Sequence, residues 1–359
     1  MNTSTDNQCA HLGYVPIAQV QRGGMTESVH FGAVAVANAQ GDLLYAAGNA
    51  RMHTFARSAL KPFQAAPFFA ANGVVQLGLT GPESAVLCAS HNGEARHADA
   101  VASVLHKADA KPSQLLCGCH MPFTFSWFDK QPPPGEQWNA LHHNCSGKHA
   151  GMIAAARLFG VSADDYINPQ HPVQVAARKA LASCTGTPSD ELVAATDGCS
   201  APTYALPLHR LAQGYARLAL GHNALGGVSA GESHEYEGAL AIAFKAMTQH
   251  PEMVSGEGRN DLALTLAGQL NGVGDWVCKI GAEGVQAIGI RSLGLGIAVK
   301  VADGNMRGLH PATIAVLEQL GVMTDALREM LKAWAQPVIK SAVGTPVGRI
   351  VPAVQLQQL

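Results

Sequence analysis

Arg57-Ser58-Ala59-Leu60-Lys61-Pro62-Phe63-Gln64 places a serine and a lysine three residues apart at the head of a helix-spaced apolar run. Leu60, Phe63, Ala66, Pro67 and Ala70 continue the spacing to a glycine stop at Gly73, which predicts a helix beginning at Ser58. Residues i and i+3 of a helix share a face, so Ser58 and Lys61 are expected to hydrogen-bond. The pattern S-x-x-K means little alone. A chain this long holds about one by accident, and a helix-decorating serine beside a snorkelling lysine gives the same letters. Its weight comes from Ser90-His91-Asn92 (S-x-N) downstream and Lys279-Ile280-Gly281 (K-x-G) near the end.

That order is the one used by enzymes that form an acyl-serine and move the proton with lysine. A serine hydroxyl is a poor nucleophile until a neighbour takes its proton. Lysine does so only when neutral, and burial or a second nearby cation lowers its ordinary pKa of about 10.4. Lys279 is the natural second cation if its strand runs beside Ser58, with Ser90 relaying between the two.

Outward from these motifs, Tyr14 to Gln21, Val29 to Ala37 and Leu43 to Ala47 alternate as strands, separated by Gly23-Gly24 and Gln40-Gly41-Asp42. The middle is helix and loop, with helices expected at 95–107, 146–159, 171–184, 206–219, 233–248 and 260–270. Strands return at Trp276 to Ile280, Val285 to Ile290 and Gly296 to Val301, then helices at 311–320 and 324–334, then a strand at Ile350-Val351. The expected fold is α/β (α+β). One antiparallel sheet is built from both chain ends with flanking helices, and a mainly helical region is inserted between them. The sheet part takes 14–75 and 272–355 and the helical part 76–271, in one unit over 1–359. Gln131-Pro132-Pro133-Pro134-Gly135 reads as a surface loop or site mouth. Cys117-Gly118-Cys119 reads as core in a strand.

The chain has 359 residues, 47% hydrophobic and 14% charged, with net charge −2 and no basic run, which argues against nucleic acid as a partner. No stretch reaches about 18 uninterrupted apolar residues, so no membrane span is expected. The polar start Met1-Asn2-Thr3-Ser4-Thr5-Asp6-Asn7-Gln8 carries no secretory signal, which suggests a cytoplasmic protein. Eight cysteines are then buried thiols or ligands rather than a disulfide framework. Two further clusters stand out: His142-His143-Asn144-Cys145-Ser146-Gly147-Lys148-His149-Ala150-Gly151-Met152, and Asp197-Gly198-Cys199-Ser200-Ala201-Pro202 at a strand-to-helix corner. Cys145 and Cys199 could close on one zinc, with His142, His143 or His149 as third ligand by composition. Two buried thiols beside a binding loop fit equally well.

The blocks Arg57–Pro62, Ser90-His91-Asn92-Gly93-Glu94, Asn144–Met152, Asp197-Gly198-Cys199 and Lys279-Ile280-Gly281-Ala282-Glu283-Gly284 together resemble the asparaginase II family of the Rhizobium etli type. The resemblance runs over roughly residues 14 to 352. It implies a fold similar to serine β-lactamases and one class of glutaminases, hydrolysis of L-asparagine to L-aspartate and ammonia, and a homodimer. It implies Ser–Lys tandems at Ser58 with Lys61 and at Ser90 with Lys279. It also implies zinc on Cys145, Lys148 and Cys199, modulating rather than strictly required. A lysine ligand must be neutral, so Lys148 would be a third amine of depressed pKa.

Ser58 is the favoured nucleophile because it opens the predicted helix, with backbone N–H groups around it stabilising the oxyanion. For the free amino-acid end, Asp197 and Glu94 are candidates for the ammonium, and Arg57 and His149 for the carboxylate. Asn92 joins this substrate-binding set. Ile280 stands where a hydroxyl would help hold a β-lactam carboxylate, which weighs against that substrate. The alternatives are a glutaminase or broader amidase, a zinc metallohydrolase, and a non-catalytic amino-acid-binding protein. A buried lysine set without chemistry is costly and weighs against the last.

Overall fold

The structure is a computed structural model that describes residues 13–221, 235–270 and 275–359. The polar segment Met1–Gln8 and the first two residues of the helix expected at 233–248 lie outside the described residues. No helix among the described residues is long and apolar enough to cross a membrane.

The main sheet takes strands from both chain ends. They are β1 (Val15–Arg22), β2 (Met25–Asn38) and β3 (Leu43–Ala47) from the first fifty residues, and β7 (Trp276–Gly281), β8 (Val285–Ile290), β9 (Leu295–Val301), β10 (Val338–Lys340), β11 (Pro346–Pro352) and β12 (Gln357–Gln358) from the last eighty-five. Its order is β10-β11-β1-β2-β9-β8-β7, with β3 pairing both β2 and β12. Among the described residues all its strand pairings are antiparallel, and β2 meets β9 in one unbroken register from Gly32↔Val301 to Asn38↔Leu295. This is the α/β architecture expected from the sequence.

Alternation along the strands sorts their side chains onto two covered faces. Val34, Val36, Cys278, Ile280, Ile288, Ile297 and Val299 pack with Leu309, Leu317 and Leu327 of the late helices α8 (Met306–Gln319) and α9 (Asp325–Ala335). Ala33, Ala35, Ala37, Val277, Ala287 and Ala298 face the inserted region. Both faces are dry, which is why β7 and β8 are buried end to end. The second face is small because helix α5 (Leu208–Leu220) lies directly on it. A Cβ on Gly296 would stand 1.8 Å from the Ala212 carbonyl oxygen, so only glycine fits there.

The inserted region carries α1 (Lys61–Ala70), α2 (Ala95–Lys107), α3 (Ser146–Leu158), α4 (Pro172–Thr185), α5, α6 (Glu237–Gln249) and α7 (Asn260–Leu270). Helix α4 shows how local sequence sets the ends. His171 accepts from the Val173 amide at the start, Pro172 sits in the first turn, and Gly186 closes the end at φ 64°.

Three expectations need correction. Residues 57–60 form a 3-10 turn, with the Lys61 amide bonded to the Ser58 carbonyl, and the α-helix starts only at Lys61. Pro62 has no N–H to return to Ser58, so an α-helical ladder cannot begin there. Asp197–Ala201 is the turn of a β-hairpin, not a strand-to-helix corner. It joins β5 (Val193–Thr196) to β6 (Pro202–Pro207), which with β4 (His53–Phe55) make a second sheet ordered β4-β6-β5. Thr203, Tyr204 and Leu206 favour strand, and Pro207 delays the helix to Leu208. Cys117-Gly118-Cys119 lies in an irregular loop, Gly118 at φ 76°, with Cys117 buried and Cys119 exposed.

Candidate active site

The three motifs meet at one end of β7. The last residue of that strand, Gly281, runs against the Ser58 turn. A Cβ there would sit 2.5 Å from the Ala56 carbonyl oxygen, so glycine is what allows the close approach. The turn is held from the other side by Tyr215 of α5, whose hydroxyl donates to the Ala59 carbonyl at 2.8 Å. Arg57 enters it at φ 51°, in the left-handed region that costs an ordinary residue about 1 kcal/mol or more. Ser58 is left half-buried.

The Ser90 loop is strapped on both sides. The Ser90 amide donates to Val254 O (2.8 Å), the Asn92 amide to Ser255 O (2.7 Å) and the His91 amide to Asn144 O (3.2 Å). Lys61 crosses to this loop. Its Nζ donates to Ser90 Oγ at 2.7 Å, to Cys145 Sγ at 3.2 Å and to the Ala89 carbonyl. Those three contacts use all three ammonium protons. Among the described residues Lys61 accordingly makes no side-chain bond to Ser58, and the contact expected from helical spacing is replaced by one to Ser90.

Lys279 is fully buried. Its Nζ donates to the Ile280 carbonyl at 2.8 Å and stands 3.7 Å from Asp261 Oδ2, with no side-chain bond to Ser90 among the described residues. Burial pushes its pKa down to about 7; Asp261 opposes the shift, and Lys61 and Arg259 add to it. A lysine so placed is half neutral near physiological pH, the state a proton acceptor needs.

Two sulfurs and an amine gather next to Lys61. Lys148 Nζ donates to Cys199 Sγ at 3.1 Å, and Lys61 touches Cys145. A hydrogen bond from the Cys145 thiol, then Lys148 and His149, hold Cys199 well below the ordinary thiol range, while the same bond and burial push Cys145 up. Burial disfavours the Lys148 ammonium, but the adjacent Cys199 thiolate, with Asp197, outweighs it and holds this amine above its ordinary value. Among the described residues no three His, Cys, Asp or Glu side chains are placed to hold a metal ion, so any site here depends on Lys148 as a ligand.

Arg57 and Asp197 pair with each other, Nη2 to Oδ1 at 2.7 Å and Nε to Oδ1 at 2.9 Å, and the Gly198 amide joins the same oxygen at 2.8 Å. Oδ2 of Asp197 carries none of these bonds. His149 is buried, bonded through Nδ1 to the Tyr166 hydroxyl at 2.6 Å, and burial lowers its pKa. Asn92 Nδ2 donates to Glu94 Oε1 (3.1 Å) and to the Glu257 carbonyl (3.0 Å), while its Oδ1 accepts from Arg259 (3.1 Å). Glu94 starts α2 and also accepts from the Glu257 amide. It lines a cleft of about 490 Å³ with Arg96, Thr124, Phe128, Lys130 and Glu257, to which none of Ser58, Lys61, Ser90 and Lys279 contributes. Asn92 and the Oε1 of Glu94 thus hold loops together, while Glu94 Oε2 pairs with Arg96 at 3.0 Å.

Sequence reasoning missed Arg259, Asp261 and Tyr215. Arg259 and Asp261 begin a predicted helix, where charged residues are ordinary, and Tyr215 lies inside an amphipathic one. Nothing local marks the partners that the fold brings to them.

The site thus brings together a buried serine–lysine bond, a second buried lysine and an Arg–Asp pair. The L-asparaginase II family matches residues 18–352, and the chain belongs to that family. No curated protein matches it. Among solved structures it is similar to the native form of Mglu, at 15% identity and TM-score 0.38, covering 82% of this chain and 65% of that one, under two thirds of its length. It is similar to a β-lactamase from Mycobacterium bovis (15% identity, TM-score 0.41, covering 80% and 94%). It also resembles a putative β-lactamase from Bacteroides dorei DSM 17855 (12% identity, TM-score 0.44, covering 88% and 99%).

Proposed function

We propose that the protein hydrolyses the side-chain amide of L-asparagine to L-aspartate and ammonia through an acyl-serine. The observation that carries this reading is the buried bond from Lys61 to Ser90 at 2.7 Å, beside a Lys279 whose pKa is near 7, in a chain of the L-asparaginase II family. Ser58 is the nucleophile in this reading, because it is the half-buried serine of the two, on a turn braced by Gly281 and Tyr215. Its Oγ attacks the amide carbon and its proton passes to the Ser90, Lys61 and Lys279 group. The C–N bond breaks as that proton is returned to the leaving nitrogen, and ammonia departs. Water, giving a proton to the same group, attacks the ester, aspartate leaves, and Ser58 regains its hydrogen. The Oδ2 of Asp197, which takes no part in the Arg57 and Gly198 bonds, suits the substrate ammonium, and Arg57, held by Oδ1, suits its carboxylate.

A zinc ion fits the donor set of Cys145, Lys148 and Cys199, two sulfurs and an amine in a buried corner. It would replace the present thiolate–ammonium pair and require Lys148 to be neutral. Bound there, it would supply positive charge beside the Lys61–Ser90 pair. We also expect a homodimer, as the resemblance implies, which sedimentation would test.

Ser58→Ala should lose turnover of L-asparagine by at least about 10³-fold with its circular dichroism unchanged, and L-glutamine assayed in parallel fixes the preferred amide. Wild-type ammonia release by that variant, with Ser90→Ala inactive, would move the nucleophile to Ser90, the reading that the Lys61 bond favours second. Chelation should leave much of the rate. Loss of essentially all turnover would point to metallohydrolase chemistry instead. Stoichiometric zinc in a Cys199→Ser protein would exclude the ligand set.

A further inference from the structure

Asp261 is buried at the start of α7 and touches the machinery at two points. Its Oδ2 stands 3.7 Å from Lys279 Nζ and accepts from the Ile280 amide at 3.3 Å. Strand β7 is the edge of the main sheet, so that outward amide has no neighbouring strand to bond. Oδ1 is buried and, among the described residues, has no hydrogen-bond partner. Two residues earlier Arg259 donates to Asn92 Oδ1 at 3.1 Å, and its guanidinium lies over the Trp127 ring at 3.9 Å. One end of one helix is therefore joined to the K-x-G strand through Asp261 and to the S-x-N loop through Arg259.

We propose that Asp261 is a positioning residue that holds Lys279 in register with Lys61 and Ser90, with Arg259 tying the same helix end to the Ser90 loop. This rests on the reading of Lys279 as part of the reaction. A carboxylate so thoroughly buried is costly unless a charge answers it. The groups facing Lys279 are Asp261, Lys61, Arg259 and the Cys145 and Cys88 thiols. Among the described residues Asp261 is the one carboxylate in this group, set against the cations Lys61 and Arg259 and against Lys279 itself. A residue that merely complemented the positive end of α7 would need no contact with Lys279 or with the β7 edge.

The test is Asp261→Asn, which keeps shape and removes charge. The carboxylate favours the Lys279 ammonium, so its loss should move the Lys279 titration to lower pH, by about one unit or more. That titration is read directly, without turnover, from the 13Cε signal of 13C-lysine-labelled protein, assigned by its absence in Lys279→Met. The low-pH limb of kcat should move the same way, with kcat reduced at least about tenfold and KM within about twofold. Asp261→Glu should return the midpoint towards wild type. An unmoved Lys279 signal in Asp261→Asn overturns the proposal, whatever the melting temperature does. A moved signal with an unmoved activity profile upholds the Asp261 contact and removes Lys279 from the reaction instead. If Asp261→Asn does not fold, Arg259→Gln carries the test with the opposite sign. Removing a cation should raise the Lys279 midpoint, and no change there overturns the proposal.

Discussion

Lys61 and Lys279 differ in what surrounds them, and that difference divides their parts. Lys61 is bonded to a serine, a sulfur and a carbonyl. Lys279 has one carbonyl partner and one distant carboxylate, and burial brings it to about 7. Only the neutral amine accepts a proton, so activity should rise with pH through about 7 and level off above it. Lys279→Met should cut kcat by about 10²-fold or more and abolish that rise near neutrality. A rate–pH profile with the same midpoint in the variant would show that another group sets it. At this scale the sequence was informative where chemistry is written in spacing. Ser58, Lys61, Ser90 and Lys279 all carry a motif, whereas Asp261 became visible only when β7 was laid beside α7. The partner of Lys61 was misread because i to i+3 spacing describes a continuous helix, and Pro62 interrupts this one at its first turn.

The elements that place these residues were largely legible, and for a physical reason. Strands buried on both faces read as unbroken apolar runs, and helices such as α4 announce their ends with Pro172 and Gly186. The second sheet was not legible, because β4 and β5 are three and four residues long and gain their order only by pairing with β6. The contact between β7 and the Ser58 turn is the most sensitive joint. Gly281→Ala would press a methyl against the Ala56 carbonyl oxygen at 2.5 Å, a separation that forces backbone to move. The expected result is a stability loss of about 1–3 kcal/mol, with kcat reduced by a larger factor than that loss alone explains, since the displaced turn carries Ser58. Urea unfolding together with steady-state kinetics measures both. Full activity in a destabilised Gly281→Ala protein would disconnect the turn from the reaction.

Over the whole molecule, the buried charges make stability depend on pH. The Lys279 amine titrates at about 7 when folded, against an ordinary value of 10.5. Between those two values the unfolded chain holds the proton and the folded one does not, so the Lys279 share of stability grows as pH rises from 7 to 10.5 and is lost as it falls through 7. The gap in unfolding free energy between Lys279→Met and the native chain should accordingly narrow, or turn in favour of the native chain, from pH 6 to pH 10. A constant gap would contradict the lowered value. The arrangement of the sheet also bears on how the protein is made. Strand β2 leaves the ribosome with β1 and β3, yet its other neighbour β9 begins only at Leu295. At about 5–20 residues per second, the roughly 250 residues between them take on the order of 10 to 50 seconds to synthesise. Throughout that interval an apolar strand edge waits on the nascent chain, which makes these first strands the natural client of a ribosome-associated chaperone and the place where slow translation would cost yield.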